Sequence, residues 1–150
     1  MSRSSSIVMP CLSVLLVTTL CGCSGAGLGK APEWRLAATT YTFRDVTFFE
    51  SVDKTKALGL KYIEAHSWQK LSPDFPNTEI NYKAPSAAIE ATKRKLQDAG
   101  VKLVGYYSNQ IGKDEAETRK VFEFARMMGI ETIVGEPEPA MLDLIVSIYG

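Results

Sequence analysis

Cysteine is missing from the chain after residue 23: the three cysteines are Cys11, Cys21 and Cys23. That distribution excludes a disulfide framework and a Cys-based zinc site in the body of the protein. An excess of charge is missing too, since 17 Lys and Arg balance 17 Asp and Glu among 150 residues. With no surplus of basic groups to neutralise phosphates, DNA and RNA are excluded as partners. Histidine occurs once, at position 66. The first strand-to-helix turn, YTFRDVTF, has no G-x-G-x-x-G or P-loop pattern for binding phosphates. The acidic cluster that a receiver domain needs at the end of its first strand is also absent. The apolar run at residues 7–20 (IVMPCLSVLLVTTL) contains Pro10 and is too short to cross about 30 Å of hydrocarbon as an unbroken helix.

What is present is an ordinary globular composition. Apolar residues make up 45% and charged residues 23%, enough to bury a core, which excludes disorder.

Residues 1–6 carry one charge, Arg3, and the apolar run follows and ends at small residues. This is the order of a secretory signal, with a buried core helix as the alternative. Leu20-Cys21-Gly22-Cys23 resembles the lipobox of bacterial lipoproteins. The resemblance implies a signal peptide at residues 1–22, lipidation of Cys23, and an exported chain anchored to a bacterial membrane on its periplasmic or cell-surface side. Cleavage there removes only Arg3 among the charges, leaving 16 basic and 17 acidic residues. Residues 23–34, Gly-rich in SGAGLGKAP, read as a tether, and residues 35–150 as the folded part.

From residue 35 short apolar, β-branched or aromatic runs alternate with longer amphipathic ones, the pattern of βα units on a parallel sheet. Strands are expected at 35–42, 60–65, 101–107 and 130–135. The first helix starts on a capping box, Thr47 with Glu50, and stops at Gly59. The second begins near Pro85 and runs to Gly100. Asp114 and Glu117 repeat the cap for the third, in which Val121, Phe124, Ala125 and Met128 follow helical spacing up to Gly129. A fourth is expected at 140–149, after Pro139, with Gly150 at its end. Each of the first three helices ends in Gly followed by an aliphatic residue, the left-handed cap that leads into a strand. Residues 66–84 (HSWQKLSPDFPNTEINYKA) form a loop of unusual length at a strand's carboxyl end, where α/β folds bind ligands.

TYTFRDVTFFESVDKTKALGLKYIEAH (40–66), DAGVKLVGYY (98–107) and FARMMGIETIVGEPEP (124–139) together resemble the sugar phosphate isomerase/epimerase family, with its xylose isomerase-like TIM barrel. The resemblance covers nearly all of residues 35–150. It implies the first four βα units of such a barrel. It also implies metal-assisted proton transfer on a sugar or keto-sugar through an enediolate, with carboxylates as base and acid and a divalent metal such as Mn²⁺ or Mg²⁺. In the family the metal ligands come mostly from strands five to eight, so no metal ligand is assigned in this chain, and no residue is assigned as catalytic.

Five residues are candidates for lining a substrate site. Glu64 is expected to close the second strand at the barrel mouth, or else to be a solvated or Lys-paired strand-end carboxylate. His66 is either a substrate or metal contact or an exposed loop residue. Glu136, expected to close the fourth strand, either lines the pocket or faces the dipole of the following helix. Glu64 and Glu136 lie on alternate strands, which contribute to common layers in a barrel, so both are expected in one mouth. Tyr41 and Trp68, with Phe43, are expected to wall sugar faces unless they are core.

Three alternatives stay open. An open doubly wound α/β sheet suits four βα units of this size. An exported carbohydrate-binding module would use the same site without catalysis. A barrel needs eight strands and roughly 250 residues; four strands leave two open edges, which points to a homodimer, a missing C-terminal half or a non-functional fragment. The chain by itself is expected to be inactive.

Overall fold

The computed structural model describes residues 34–149. The expected signal segment, Cys23, the tether as far as residue 33 and the capping role of Gly150 lie outside the described residues.

The fold alternates strands and helices as the pattern predicts. It runs β1 (Ala37–Thr39), α1 (Phe48–Ala57), β2 (Tyr62–His66), β3 (Lys70–Ser72), β4 (Phe75–Glu79), α2 (Ser86–Ala99), β5 (Lys102–Tyr107), α3 (Glu115–Met128), β6 (Thr132–Val134) and α4 (Leu142–Tyr149). Four parallel strands form one sheet in the order β1-β2-β5-β6. Chain order and spatial order therefore agree, strand by strand, which is the winding of a partial TIM barrel. The reversal of order that defines a doubly wound sheet is absent from these four strands. The fold is α/β, with a parallel sheet that is open at both edges among the described residues.

Local chemistry sets the helix limits. Thr47 caps α1: its hydroxyl accepts the Glu50 N–H at 3.4 Å, and Glu50 takes the Thr47 N–H at 2.8 Å. Asp114 caps α3 through the Glu117 N–H at 3.0 Å, but Glu117 turns to Lys120 at 2.8 Å, so only half of the expected box forms. α2 and α3 end at Gly100 and Gly129 with φ of 66° and 69°, the left-handed cap that a Cβ would strain.

The core lies between one face of the sheet and α1 to α3. Phe48 and Val52 of α1, Ile63 and Ala65 of β2, Leu103 and Tyr106 of β5, Ile89 and Leu96 of α2, and Val121 and Phe124 of α3 belong to one buried cluster, in which Tyr106 packs on Phe124. Strand alternation then directs Glu64 and His66 to the opposite face.

Four expectations need correction. β1 is not an eight-residue strand, because after Thr39 the chain tightens into a 3-10 turn at Thr40–Phe43. β2 runs on to His66, so Glu64 lies inside the strand instead of closing it. β6 ends at Val134, which leaves Glu136 two residues beyond it. α4 begins at Leu142 after a 3-10 turn at Pro139–Met141. The long connection at 66–84 also contains structure: β3 and β4 pair as an antiparallel hairpin, with Ser72 opposite Phe75. The Tyr106 hydroxyl donates to Ile80 O at 3.1 Å and fastens the hairpin's exit to the sheet.

Candidate functional site

The carboxyl ends of β1, β2 and β5 bring a group of polar and aromatic side chains together on the open face of the sheet. Between β2 and β5 the register slips after Ile63: Ile63 faces Leu103, whereas Glu64 faces Gly105. Such bulges re-aim side chains next to sites. A Cβ on residue 105 would lie 3.0 Å from Glu64 Cγ, so the glycine leaves room for the Glu64 side chain to lie over β5. There its Oε1 accepts the Thr39 hydroxyl at 3.0 Å.

His66 is the centre of the group. Its backbone N–H donates to Thr40 Oγ1 at 3.1 Å, and its Nδ1 lies 3.2 Å from the same oxygen. Thr40 is fully buried. Having accepted one proton, its hydroxyl has its own to give, and Nδ1 is the acceptor within reach. With the hydroxyl donating to Nδ1, the ring proton of neutral His66 sits on Nε2; in the other tautomer Nδ1 donates to the hydroxyl oxygen. Burial holds the imidazole below its usual pKa of 6.5, partly opposed by the charge of Glu64. The ring stacks on Tyr107, with centroids 5.2 Å apart. Trp68 lies at 5.5 Å and Tyr41 at 5.6 Å. The Arg44 guanidinium sits 5.3 Å from the Tyr41 ring centre, as a cation against its face.

Gln69 holds the rim. From the start of the hairpin its amide nitrogen reaches Phe43 O at 3.3 Å, Val46 O at 3.0 Å and Ser51 Oγ at 3.0 Å. It thereby joins the hairpin to the loop between β1 and α1.

Of the five predicted site residues, the structure brings Tyr41, His66 and Trp68 into one aromatic cluster, and Glu64 lies on the same strand face two residues before His66. Glu136 lies two residues beyond the carboxyl end of β6. It is exposed, and among the described residues it makes no hydrogen bond or ion pair. Thr39, Thr40, Tyr107 and Gln69 are part of the site and were not predicted. Thr40 carried no signal, because it reads as one more β-branched strand residue. Phe43, in the same turn as Tyr41, accepts a Gln69 amide proton at its backbone carbonyl.

Glu64 and His66 are two donors of the kind that hold a divalent cation. Among the described residues no group of three or more His, Cys, Asp or Glu side chains is placed to hold a metal ion. A larger concavity, about 520 Å³, lies elsewhere, between α3, α4 and β6, and half of its lining residues are isoleucines. It carries none of the chemistry gathered at the strand ends.

Comparison with known proteins adds one strong likeness. An uncharacterized protein of known structure from Parabacteroides distasonis is 32% identical, with a TM-score of 0.70, over 77% of this chain and 48% of that one. A sugar phosphate isomerase/epimerase from the same organism is 13% identical, with a TM-score of 0.45, over 73% of this chain and 42% of that one. The chain thus spans about half the length of the solved structures it matches. No family model matches, and no curated protein does.

Proposed function

We propose that the mouth around His66 binds a sugar or keto-sugar, and that the chain is part of a sugar isomerase/epimerase-like protein that moves a proton between adjacent carbons through an enediolate. The observation that carries this reading is the convergence of Glu64, His66 and Trp68 at the carboxyl ends of the strands. Trp68 and Tyr41 offer faces to the C–H side of a sugar. His66 offers its Nε2 proton to a carbonyl oxygen on which negative charge develops, as a neutral donor. Glu64, held by one hydroxyl and no cation, is the carboxylate that exchanges the proton. In this reading a divalent metal such as Mn²⁺ or Mg²⁺ takes further donors from outside the described residues. The 150 residues alone bind without turning over.

The same proposal includes export and a lipid anchor on Cys23, a membrane as neighbour, no nucleic acid, and completion of the barrel by a C-terminal half or a second copy. Labelling with a radioactive fatty acid that disappears in Cys23→Ala tests the anchor. Binding without catalysis anywhere, as a carbohydrate-binding module, is the second reading. The aromatic walls favour it, because they act on a sugar face whatever chemistry follows.

The test is titration of the protein with D-fructose, followed by deuterium exchange beside the carbonyl in D₂O with Mn²⁺. Saturable binding is expected, weakened about tenfold or more in Trp68→Ala, since an aromatic contact contributes roughly 0.5–1.5 kcal/mol beyond its buried area. No exchange is expected from this chain. Absence of binding to any keto-sugar overturns the proposal, and metal-dependent exchange places further ligands inside the chain.

A further inference from the structure

The 3-10 turn that ends β1 sets Thr40 against a residue 26 positions further on, His66. Thr40 Oγ1 accepts the His66 backbone N–H at 3.1 Å and lies 3.2 Å from His66 Nδ1, and these are its partners among the described residues. The side chain is fully buried, so bulk solvent offers it no other. Two arrangements of the protons fit these distances. If Nδ1 carries the ring proton, the oxygen accepts two N–H groups and its own proton is enclosed with no acceptor. If Nε2 carries it, the hydroxyl proton goes to Nδ1 and every group on this side of the ring is bonded. An enclosed donor without a partner bears its full desolvation penalty, so the second arrangement is the more stable. The other side of the ring is different. Nε2 bonds nothing among the described residues, yet it is not one of their enclosed, unpartnered polar atoms, so it opens outward beside Tyr41, Trp68 and Tyr107.

We propose that Thr40 is a positioning residue that fixes His66 in its Nε2–H form, so that the ring meets a ligand in the mouth as a hydrogen-bond donor and not as a base. This rests on the reading of the mouth as a sugar site, in which Nε2–H faces an oxygen on which negative charge develops. The basic nitrogen of the neutral ring, Nδ1, points at Thr40 and away from the opening. A proton added to Nδ1 would make it a donor and leave the hydroxyl proton without an acceptor, so Thr40 opposes the charged ring as well as the other tautomer. The groups around the ring are the aromatic faces of Tyr41, Trp68 and Tyr107, the Arg44 guanidinium beyond Tyr41, and the Glu64 carboxylate. Glu64 favours the imidazolium, but burial outweighs it. Roles in the mouth then divide. His66 gives a hydrogen bond, and Glu64 is left to accept a proton.

The test is nitrogen-15 NMR of the full chain without an affinity tag, in which His66 gives the only imidazole signals. On the alkaline side of the usual imidazole pKa, the shifts of the two ring nitrogens read the ratio of the tautomers. In wild type the Nδ1–H form is expected below about a tenth of the molecules, with a Thr40 hydroxyl proton protected from exchange and coupled to Nδ1. Thr40→Ser keeps the hydroxyl and is expected to keep this pattern. Thr40→Val is expected to raise the Nδ1–H fraction at least about threefold. A residue that only supports the fold would lower the Tm in Thr40→Val and leave the ratio unchanged, which overturns the proposal. So does an Nδ1–H majority in wild type, or a Thr40 hydroxyl proton with no coupling to Nδ1, and both are read without any variant. Adding D-fructose separates this inference from the one beneath it. A response at Nε2 with the tautomer unchanged supports both. The Nε2–H form without a response to any keto-sugar sinks the reading of the mouth alone, and D-fructose binding to a ring in the Nδ1–H form sinks the role of Thr40 alone.

Discussion

Two carboxylates at opposite ends of the same parallel sheet live under contrasting rules. Glu131, just before β6, is held by Arg35 at 2.7 Å and Lys102 at 2.6 Å. Arg35 in turn lies 5.3 Å from the Tyr62 ring centre, so residues flanking or opening all four strands meet at the amino end. Glu131 is pulled down to about 2 by these two cations. Glu64, at the carboxyl end, has one hydroxyl and a neutral imidazole near it. At the amino end charge is compensated within the protein, and the side chains tie strands together. At the carboxyl end hydrogen-bonding capacity is left over and aromatic faces are gathered. In barrels the first end reads as stability and the second as chemistry.

The largest test of this contrast is Thr40→Val. The change keeps the shape but removes the hydroxyl that serves both the His66 N–H and Nδ1, leaving buried polar groups unpaired. A loss of about 1–3 kcal/mol is expected in chemical denaturation. A loss no larger than that of an exposed substitution would mean that the mouth is not held as described.

A smaller effect is expected from pH. Because burial lowers the His66 pKa in the folded state, its contribution is fully present above the usual value of 6.5 and declines as pH falls through the lower folded value. His66→Gln is therefore expected to flatten the fall in Tm on mild acidification. A variant that follows the wild-type curve would place the ring in solvent.

The smallest effect belongs to the amino end. Glu131→Gln is expected to lower the Tm slightly at neutral pH and low salt, and less at high salt, because exposed ion pairs are screened. The folded pKa is depressed, so the difference is present above the usual 4.5 and vanishes as pH falls toward 2. A salt-independent difference would contradict the contrast between the two ends.

The parts of the fold set by neighbours in sequence were legible. Thr47 with Glu50, and the glycines after α2 and α3, act within one turn, and each marked its helix end. The hairpin was not legible, because Pro73 and Pro76 read as loop punctuation, whereas Pro73 stands in the turn after Ser72 and Pro76 in β4. The site was half legible. Trp68, His66 and Tyr41 stood out as uncommon residues beside a strand end. Thr40 did not, since its value comes from a 3-10 turn that sets it against a residue 26 positions away. Glu136 does not close β6 as expected, because the strand ends at Val134.

Gln69 gives the mouth a property that no single contact conveys. One amide spans two loops that are distant in the chain, and its nitrogen has three oxygens within reach on the opposite side. The walls formed by the hairpin and by the turn carrying Tyr41 are thus set against each other before any ligand arrives. The loss of loop freedom has been met during folding, so any ligand entering between them has only its own motion to surrender.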